Sequence, residues 1–339
     1  MGGVAKMKSM GSSIVKELRR TTDLTKWGKD QQREALKDIF VYSPEVNNIL
    51  EMIEGCRVDS KRMSSPKCAY VRGESGVGKS FLLKQYLKKF TPYDKKLGTD
   101  IQRIVPVLYV RITPNSNGTS ISQRMRAELG DPLYATGKNT DHKLRITENL
   151  LKDCRVELVI LDELQHIIER ESEKIIREAA DWIKILIENT GIPFVLVGLP
   201  SLTKIFEDNE QLKSRFKKNR TIKPFSYSGA KEIKRIRTFL DVVDDCLPLL
   251  KRSNFSDEYI SNLLCSVTEG RVRPLMEAII QPAALKAIDL SLHKISYGLL
   301  EDEIKEFLDE KEVERLRKHI KKRINNEKKK QKNSKKNVS

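Results

Sequence analysis

Apolar positions follow two rhythms along this chain. Between about residues 68 and 225, short continuous apolar runs alternate with stretches whose apolar residues recur every three or four positions. The runs are Cys68-Ala69-Tyr70-Val71, Ile104 to Val110, Leu158-Val159-Ile160-Leu161, Pro193 to Val197 and Thr221 to Phe225. Each is short and bounded by turn residues, so each predicts a strand. The stretches between them predict helices over Phe81–Leu87, Ile121–Leu129, Lys143–Leu151 and about Ser172–Asn189, with short helices over 201–217. Alternating strands and helices of these lengths predict an α/β fold built on a parallel five-stranded sheet.

The rhythm changes on either side. Gln31 to Cys56 is helical in pattern, and Ser43-Pro44-Glu45 supplies an N-cap with Pro at the first helical position. Beyond Ser228 only helical patterns remain, over about 229–246, 256–266, 272–289 and 297–322. Four regions are therefore expected: a flexible basic arm over 1–30, an α/β core over 31–228, a helical lid over 229–310 and a basic tail over 311–339. Trp27 in the arm is either an anchor onto the protein's own surface or a partner contact.

Charge sharpens this division. The chain of 339 residues carries a formal +17. The stretch from Lys311 to Ser339 holds 13 Lys and Arg against three Glu, so most of the excess is in the tail. Such a tail is either simply solvated or attracted to a polyanion, foremost nucleic acid. Cys56, Cys68, Cys154, Cys246 and Cys265 are scattered, as are His142, His166, His293 and His319. That spacing argues against a disulfide framework and a zinc site, and for a reducing compartment. No apolar run reaches membrane-spanning length, so a soluble, cytoplasmic protein without membrane contact is expected.

The chemistry starts at Gly73-Glu74-Ser75-Gly76-Val77-Gly78-Lys79-Ser80, which fits G-x-x-x-x-G-K-[ST]. A predicted strand precedes it and a predicted helix, opening at Phe81, follows. The glycines let backbone N–H groups turn onto phosphates, and the helix N-terminus adds its partial positive charge. Gly73 to Phe81 are therefore expected to cradle the phosphates of ATP or GTP. Lys79 is expected to reach the β- and γ-phosphates, and the Ser80 hydroxyl to face Mg²⁺.

The third predicted strand ends in Asp162-Glu163, which lies 83 positions beyond Lys79 with one more strand between. Carboxylates at the carboxyl end of such a strand lie beside the bound ligand. Asp162 is expected to hold the Mg²⁺ hydration shell opposite Ser80, and Glu163 to orient the attacking water. Arg215, just before the fifth strand, is either a finger to a neighbouring subunit's γ-phosphate, with Arg220 as substitute, or a surface arginine. Arg273, in Gly270-Arg271-Val272-Arg273, either folds over the phosphates from the lid or is a solvated helix start.

Together these motifs, the strand order and the lid resemble an AAA+ ATPase. More narrowly, Ser43-Pro44-Glu45-Val46 before the phosphate loop, Leu161-Asp162-Glu163-Leu164-Gln165-His166-Ile167, Val195-Leu196-Val197-Gly198 and Thr268-Glu269-Gly270 resemble the TniB/TnsC transposition regulators, over about residues 40 to 290. The resemblance implies a bacterial, nucleoid-associated ATPase. Its ATP-bound subunits form homo-oligomeric rings or helical filaments on double-stranded DNA, without reading sequence. It implies recruitment of a DDE-type transposase, placement by a TniQ/TnsD-like adaptor, and disassembly by hydrolysis that a neighbouring subunit completes. The loops between the second and third strands would face DNA, with Asn117, Thr119, Arg124, Thr136 and Lys138 as contacts. Where AAA+ proteins keep a polar sensor after the fourth strand, this chain has Leu199, and Ser201 is the substitute. The alternative with the same active site is a helicase or clamp loader, or a replication initiator.

Overall fold

A computed structural model describes residues 24–336, apart from 63–64, 115, 117, 137–138, 169–171 and 208, with side chains described as far as Asn325 except at Leu97. Most of the expected N-terminal arm thus lies outside the described residues. The chain divides into two compact units, Pro44–Lys223 and a second joining the described residues before Pro44 to those from Pro224 onward. The first helix, α1 (Lys29–Lys37), belongs to the second unit.

The Pro44–Lys223 unit opens with α2 (Pro44–Ser60), whose Pro44 stands at the helix start as expected. Next come β1 (Ala69–Gly73), α3 (Lys79–Leu87), β2 (Tyr93–Leu97), β3 (Asp100–Ile104) and β4 (Val107–Arg111). After α4 (Gly118–Leu129) and α5 (Thr140–Asp153) the chain forms β5 (Leu158–Asp162), α6 (Gln165–Ile168), α7 (Glu173–Thr190) and β6 (Phe194–Gly198). A 3₁₀ segment, Pro200–Phe206, then α8 (Glu210–Arg215) and β7 (Lys218–Ile222) complete it.

Five strands form one sheet in the order β4-β5-β6-β1-β7, and every neighbouring pair is parallel. The fold is the AAA+ type of α/β sheet. β5 and β6 are buried at every position, which is why they read as unbroken apolar runs. Helices α4, α6 and α7 cover them through Ile121, Met125, Ile167, Trp182, Ile183 and Leu186.

Two expectations shift. The fifth strand was expected at Thr221–Phe225 but runs Lys218–Ile222, because pairing with β1 from Ala69↔Lys218 to Gly73↔Ile222 defines it. As an edge strand it carries a polar sequence that apolar runs do not reveal. The run Ile104–Val110 is also broken. Ile104 ends β3, Val107 begins β4, and Pro106, which has no N–H to donate, lies between. β2 and β3 make a separate antiparallel hairpin whose two-residue turn uses Gly98 at φ +65°.

The second unit is helical: α9 (Ala230–Cys246), α10 (Glu258–Val267), a π-helical segment Pro274–Ile280, α11 (Gln281–Asp289), α12 (Tyr297–Phe307) and α13 (Glu310–Lys336). Leu36 and Ile39 join its core with Leu240, Leu264, Ile279 and Ile304. Gly270 is required here. It sits at φ +69°, and a Cβ would lie 1.8 Å from the Phe225 carbonyl oxygen. The region expected as a tail from 311 is helical, and Val313, Leu316, Ile320 and Ile324 bury one face of it in the same core. Among the described residues, no helix is long and apolar enough to cross a membrane.

Candidate nucleotide-binding site

The loop between β1 and α3 has a shape that ordinary residues resist. Gly76 (φ +79°) and Gly78 (φ +98°) are left-handed, which turns successive N–H groups toward one concavity. Gly73 cannot be replaced without moving backbone, since a Cβ would stand 2.5 Å from the Ile222 carbonyl oxygen of β7. The Lys79 side chain is buried, and its Nζ donates to the carbonyls of Gly73 (2.6 Å) and Glu74 (2.8 Å). These bonds hold the ammonium against its own loop.

The end of β5 meets this loop. Ser80 Oγ donates to Asp162 Oδ2 at 2.8 Å, so the fold unites two residues 82 positions apart. Tyr109 on β4 donates its hydroxyl to the same oxygen at 2.9 Å, and the Glu163 N–H donates to Asp162 Oδ1 at 2.9 Å. Asp162 is fully buried. That burial, with the adjacent Glu163 charge adding to it, outweighs its three hydrogen bonds and raises its pKa above the ordinary carboxylate value. The Tyr109 phenol is also pushed up, by burial first and then by the Asp162 charge.

Glu163 has φ +61°, an uncommon conformation for a residue with a side chain. Its carboxylate accepts a hydrogen bond from Gln165 Nε2, and Arg111 Nη2 lies 3.9 Å from its other oxygen. Arg111 is there because β4 and β5 pair Arg111 with Asp162.

The donor set suits ATP with Mg²⁺. A hydroxyl and a carboxylate converge on one point, and Mg²⁺ takes hard oxygen ligands while completing its shell with water and phosphate. Among the described residues there is no cluster of three or more His, Cys, Asp or Glu that would hold a metal without such help. Phe81, in the first turn of α3, is partly exposed, and Ser201 is half-buried in the 3₁₀ segment after β6.

Other expected residues are engaged elsewhere or stand apart. Arg215 ends α8, and its guanidinium donates to Glu188 Oε1 (2.9 Å) and Ser65 Oγ (3.1 Å) of its own unit. Arg220 is exposed on β7 and donates to the Asn219 carbonyl. Arg273, in the second unit, is exposed immediately before the π-helical segment, while nearby Arg271 pairs with Glu269.

Of the expected DNA contacts, Asn117 and Lys138 lie outside the described residues. Thr119 is half-buried in α4, Arg124 donates to Thr113 Oγ1, and Thr136 Oγ1 donates to the Leu133 carbonyl. Buried Arg126 joins the two segments by bonding Asp131 Oδ2 (2.7 Å) and the carbonyls of Leu133 (2.6 Å) and Thr136 (2.7 Å). Sequence reasoning missed Arg126, Tyr109, Arg111 and Gln165. The alternation of β4 puts Tyr109 and Arg111 on one face, but only the register with β5 says that Asp162 is opposite.

Comparison with known proteins agrees with this geometry. The family model described as "Bacterial TniB protein" matches residues 32–226. No curated protein matches the chain. Among solved structures it is similar to Cdc6p from Pyrobaculum aerophilum (TM-score 0.57, 17% identity, 81% of this chain and 71% of that one). It is also similar to the Aeropyrum pernix ORC2 protein in ADPNP-ADP complexes (TM-score 0.56, 16% identity, 82% and 72%). A third likeness is to the Aeropyrum pernix ORC1 protein in complex with DNA (TM-score 0.55, 13% identity, 81% and 69%). At these identities the likeness concerns the AAA+ fold.

Proposed function

This chain belongs to the TniB family and is an AAA+ ATPase, and from that premise we propose that it is an ATP-dependent regulator of DNA transposition. In this reading ATP-bound copies assemble on duplex DNA as a ring or filament and recruit a DDE-type transposase. Hydrolysis then takes the assembly apart. The observation that most supports it is the 2.8 Å bond between Ser80 and Asp162, which joins the phosphate loop to the Asp162-Glu163 strand end in a TniB chain.

Lys79 leaves the carbonyls of Gly73 and Glu74 for the phosphates, exchanging neutral acceptors for charged ones. Ser80 and Asp162 would hold Mg²⁺, and the ion would supply neutralisation of phosphate charge. Glu163 orients the water. Arg215 releases Glu188 and reaches a neighbouring subunit's nucleotide, and Arg273 approaches from the helical unit. Arg124 and Thr136, with Asn117, Thr119 and Lys138, track the DNA backbone, and a TniQ/TnsD-like adaptor chooses the place.

The outer face of α13 adds to the DNA contact. Lys311, Arg315, Lys318 and Lys322 are exposed and follow the 4-3-4 spacing of one helix stripe. Arg317 and Arg323 instead anchor the helix through Glu301 and the Tyr227 carbonyl.

Electron microscopy with duplex DNA tests this reading, using ATP, a slowly hydrolysed analogue, ADP or no nucleotide. Rings or filaments confined to the triphosphate states are expected. A second reading, a replication initiator or loader, draws on the fold shared with an ORC1 protein in complex with DNA. Rings or filaments on DNA that form whatever the nucleotide would favour it.

A further inference from the structure

We propose that Gln165 is a positioning residue that sets where the Glu163 carboxylate stands during hydrolysis. This rests on the ATPase reading above.

Gln165 is almost fully buried, and both ends of its amide are used. The Leu199 N–H donates to its Oε1 at 3.3 Å, and its Nε2 donates to Glu163. An N–H can only donate and an ionised carboxylate can only accept, so these partners fix which way the amide faces. Gln165 thus ties the carboxylate to backbone just past β6. The same turn is held a second time, because the Leu164 N–H donates to the Val197 carbonyl at 3.1 Å.

Gly198 leaves room for the bridge. A Cβ there would lie 3.0 Å from Gln165 Oε1 and 3.0 Å from Leu202 Cδ1. Leu199, one position on, offers the site only its N–H, and the Gln165 amide carries polarity from there to Glu163.

Glu163 needs such support. Its φ of +61° is a strained conformation for a residue with a side chain and persists only where neighbours hold it. The Asp162 carboxylate holds its N–H, and Gln165 holds its side chain. Arg111 is a weak competitor, since its side chain is 67% exposed and the pair is 3.9 Å long. Without Gln165 the carboxylate is free to swing toward Arg111 and solvent. The phosphate loop keeps its own bonds, so the loss falls on turnover and not on nucleotide affinity.

The test measures steady-state hydrolysis and binding of a fluorescent ATP analogue for Gln165→Leu, Gly198→Ala, the double variant and Glu163→Gln. Thermal melts confirm folding. Gln165→Leu is expected to lower kcat roughly tenfold or more, as loss of an oriented group does, while KM and analogue affinity stay within about twofold. Gly198→Ala should lower kcat less, and the double variant should be no slower than Gln165→Leu, because both act on one bridge. Unchanged or faster turnover in Gln165→Leu, or a matching loss of ATP affinity, would overturn the proposal. A wild-type rate in Glu163→Gln would sink the role of Glu163 and this proposal with it. An inactive Glu163→Gln beside a wild-type Gln165→Leu would sink this proposal alone.

Discussion

At the phosphate loop Lys79 and the facing Asp162 are buried and engaged, whereas on the outer face of α13 Lys311, Arg315, Lys318 and Lys322 stand in water. Both regions are assigned phosphate, by opposite physics. In the loop, left-handed glycines, a buried ammonium and a buried carboxylate fix geometry, and a misplaced atom has no solvent to compensate it. On α13 one face is buried through Val313, Leu316, Ile320 and Ile324, and the other presents charge without a shaped cavity. Of those four cations only Lys318 has an ion-pair partner among the described residues, Glu314 at 3.7 Å. The lesson is that a buried site selects one ligand, while an exposed stripe attracts any polyanion, less strongly as salt rises.

Breaking the buried side gives the largest effect. Lys79→Ala should weaken ATP binding roughly a hundredfold, as loss of charge-assisted bonds does, and abolish ATP-dependent assembly on DNA. Equilibrium binding of a fluorescent nucleotide reads it directly. Binding to DNA without nucleotide should survive, since it draws on the exposed stripe.

Neutralising the stripe comes next. Replacing Lys311, Arg315, Lys318 and Lys322 together by Ala leaves the apolar face of α13 intact. Duplex affinity at low salt should fall about ten- to a hundredfold. The slope of log K against log salt should shrink by about 3 to 4, or roughly 0.9 for each phosphate no longer neutralised. Hydrolysis without DNA should not change. An unaltered slope would remove α13 from the DNA interface.

The smallest effect separates stability from function inside the loop site. Asp162 has a folded-state pKa above its ordinary 3.8, with burial as the leading cause. The native state therefore holds the proton more tightly than the unfolded chain. The sign follows: stability falls as pH rises from 3.8 through the folded value, and ionised Asp162 is a net cost at neutral pH. Asp162→Asn removes that charge. Its amide oxygen still accepts from the Glu163 N–H, while the Ser80 and Tyr109 hydroxyls rotate to accept from its Nδ2. The nucleotide-free melting temperature should rise by about 1–3 °C, and Mg²⁺-dependent hydrolysis should be lost. A lower melting temperature would mean that the carboxylate's bonds outweigh its burial.

Legibility in the sequence followed the same contrast. The phosphate loop could be read because its geometry demands glycines at set positions next to Lys79 and Ser80. β5 and β6 could be read because strands buried on both faces need unbroken apolar runs. The edge strand β7 was misplaced by three residues, since Lys218-Asn219-Arg220-Thr221-Ile222 is recognisable only by its pairing with β1. The β2–β3 hairpin left one local sign, Gly98 in Leu97-Gly98-Thr99-Asp100, within a stretch of mixed polarity. The helical spacing of Val313, Leu316 and Ile320 lay within the pattern read over 297–322, but packing decides that this face is buried in the helical core.

The sequence by itself determined the strand-and-helix alternation, the phosphate loop and the Asp162-Glu163 strand end, because local backbone demands and burial periods are written in consecutive residues. Only the tertiary structure decided that Tyr109 serves Asp162, that Gln165 ties Glu163 to Leu199, that Arg215 rests on Glu188, and that Arg126 braces the loop after α4. The reason is physical. Each of these bonds joins groups whose proximity depends on strand register, tight turns or helix packing, and no local period encodes that.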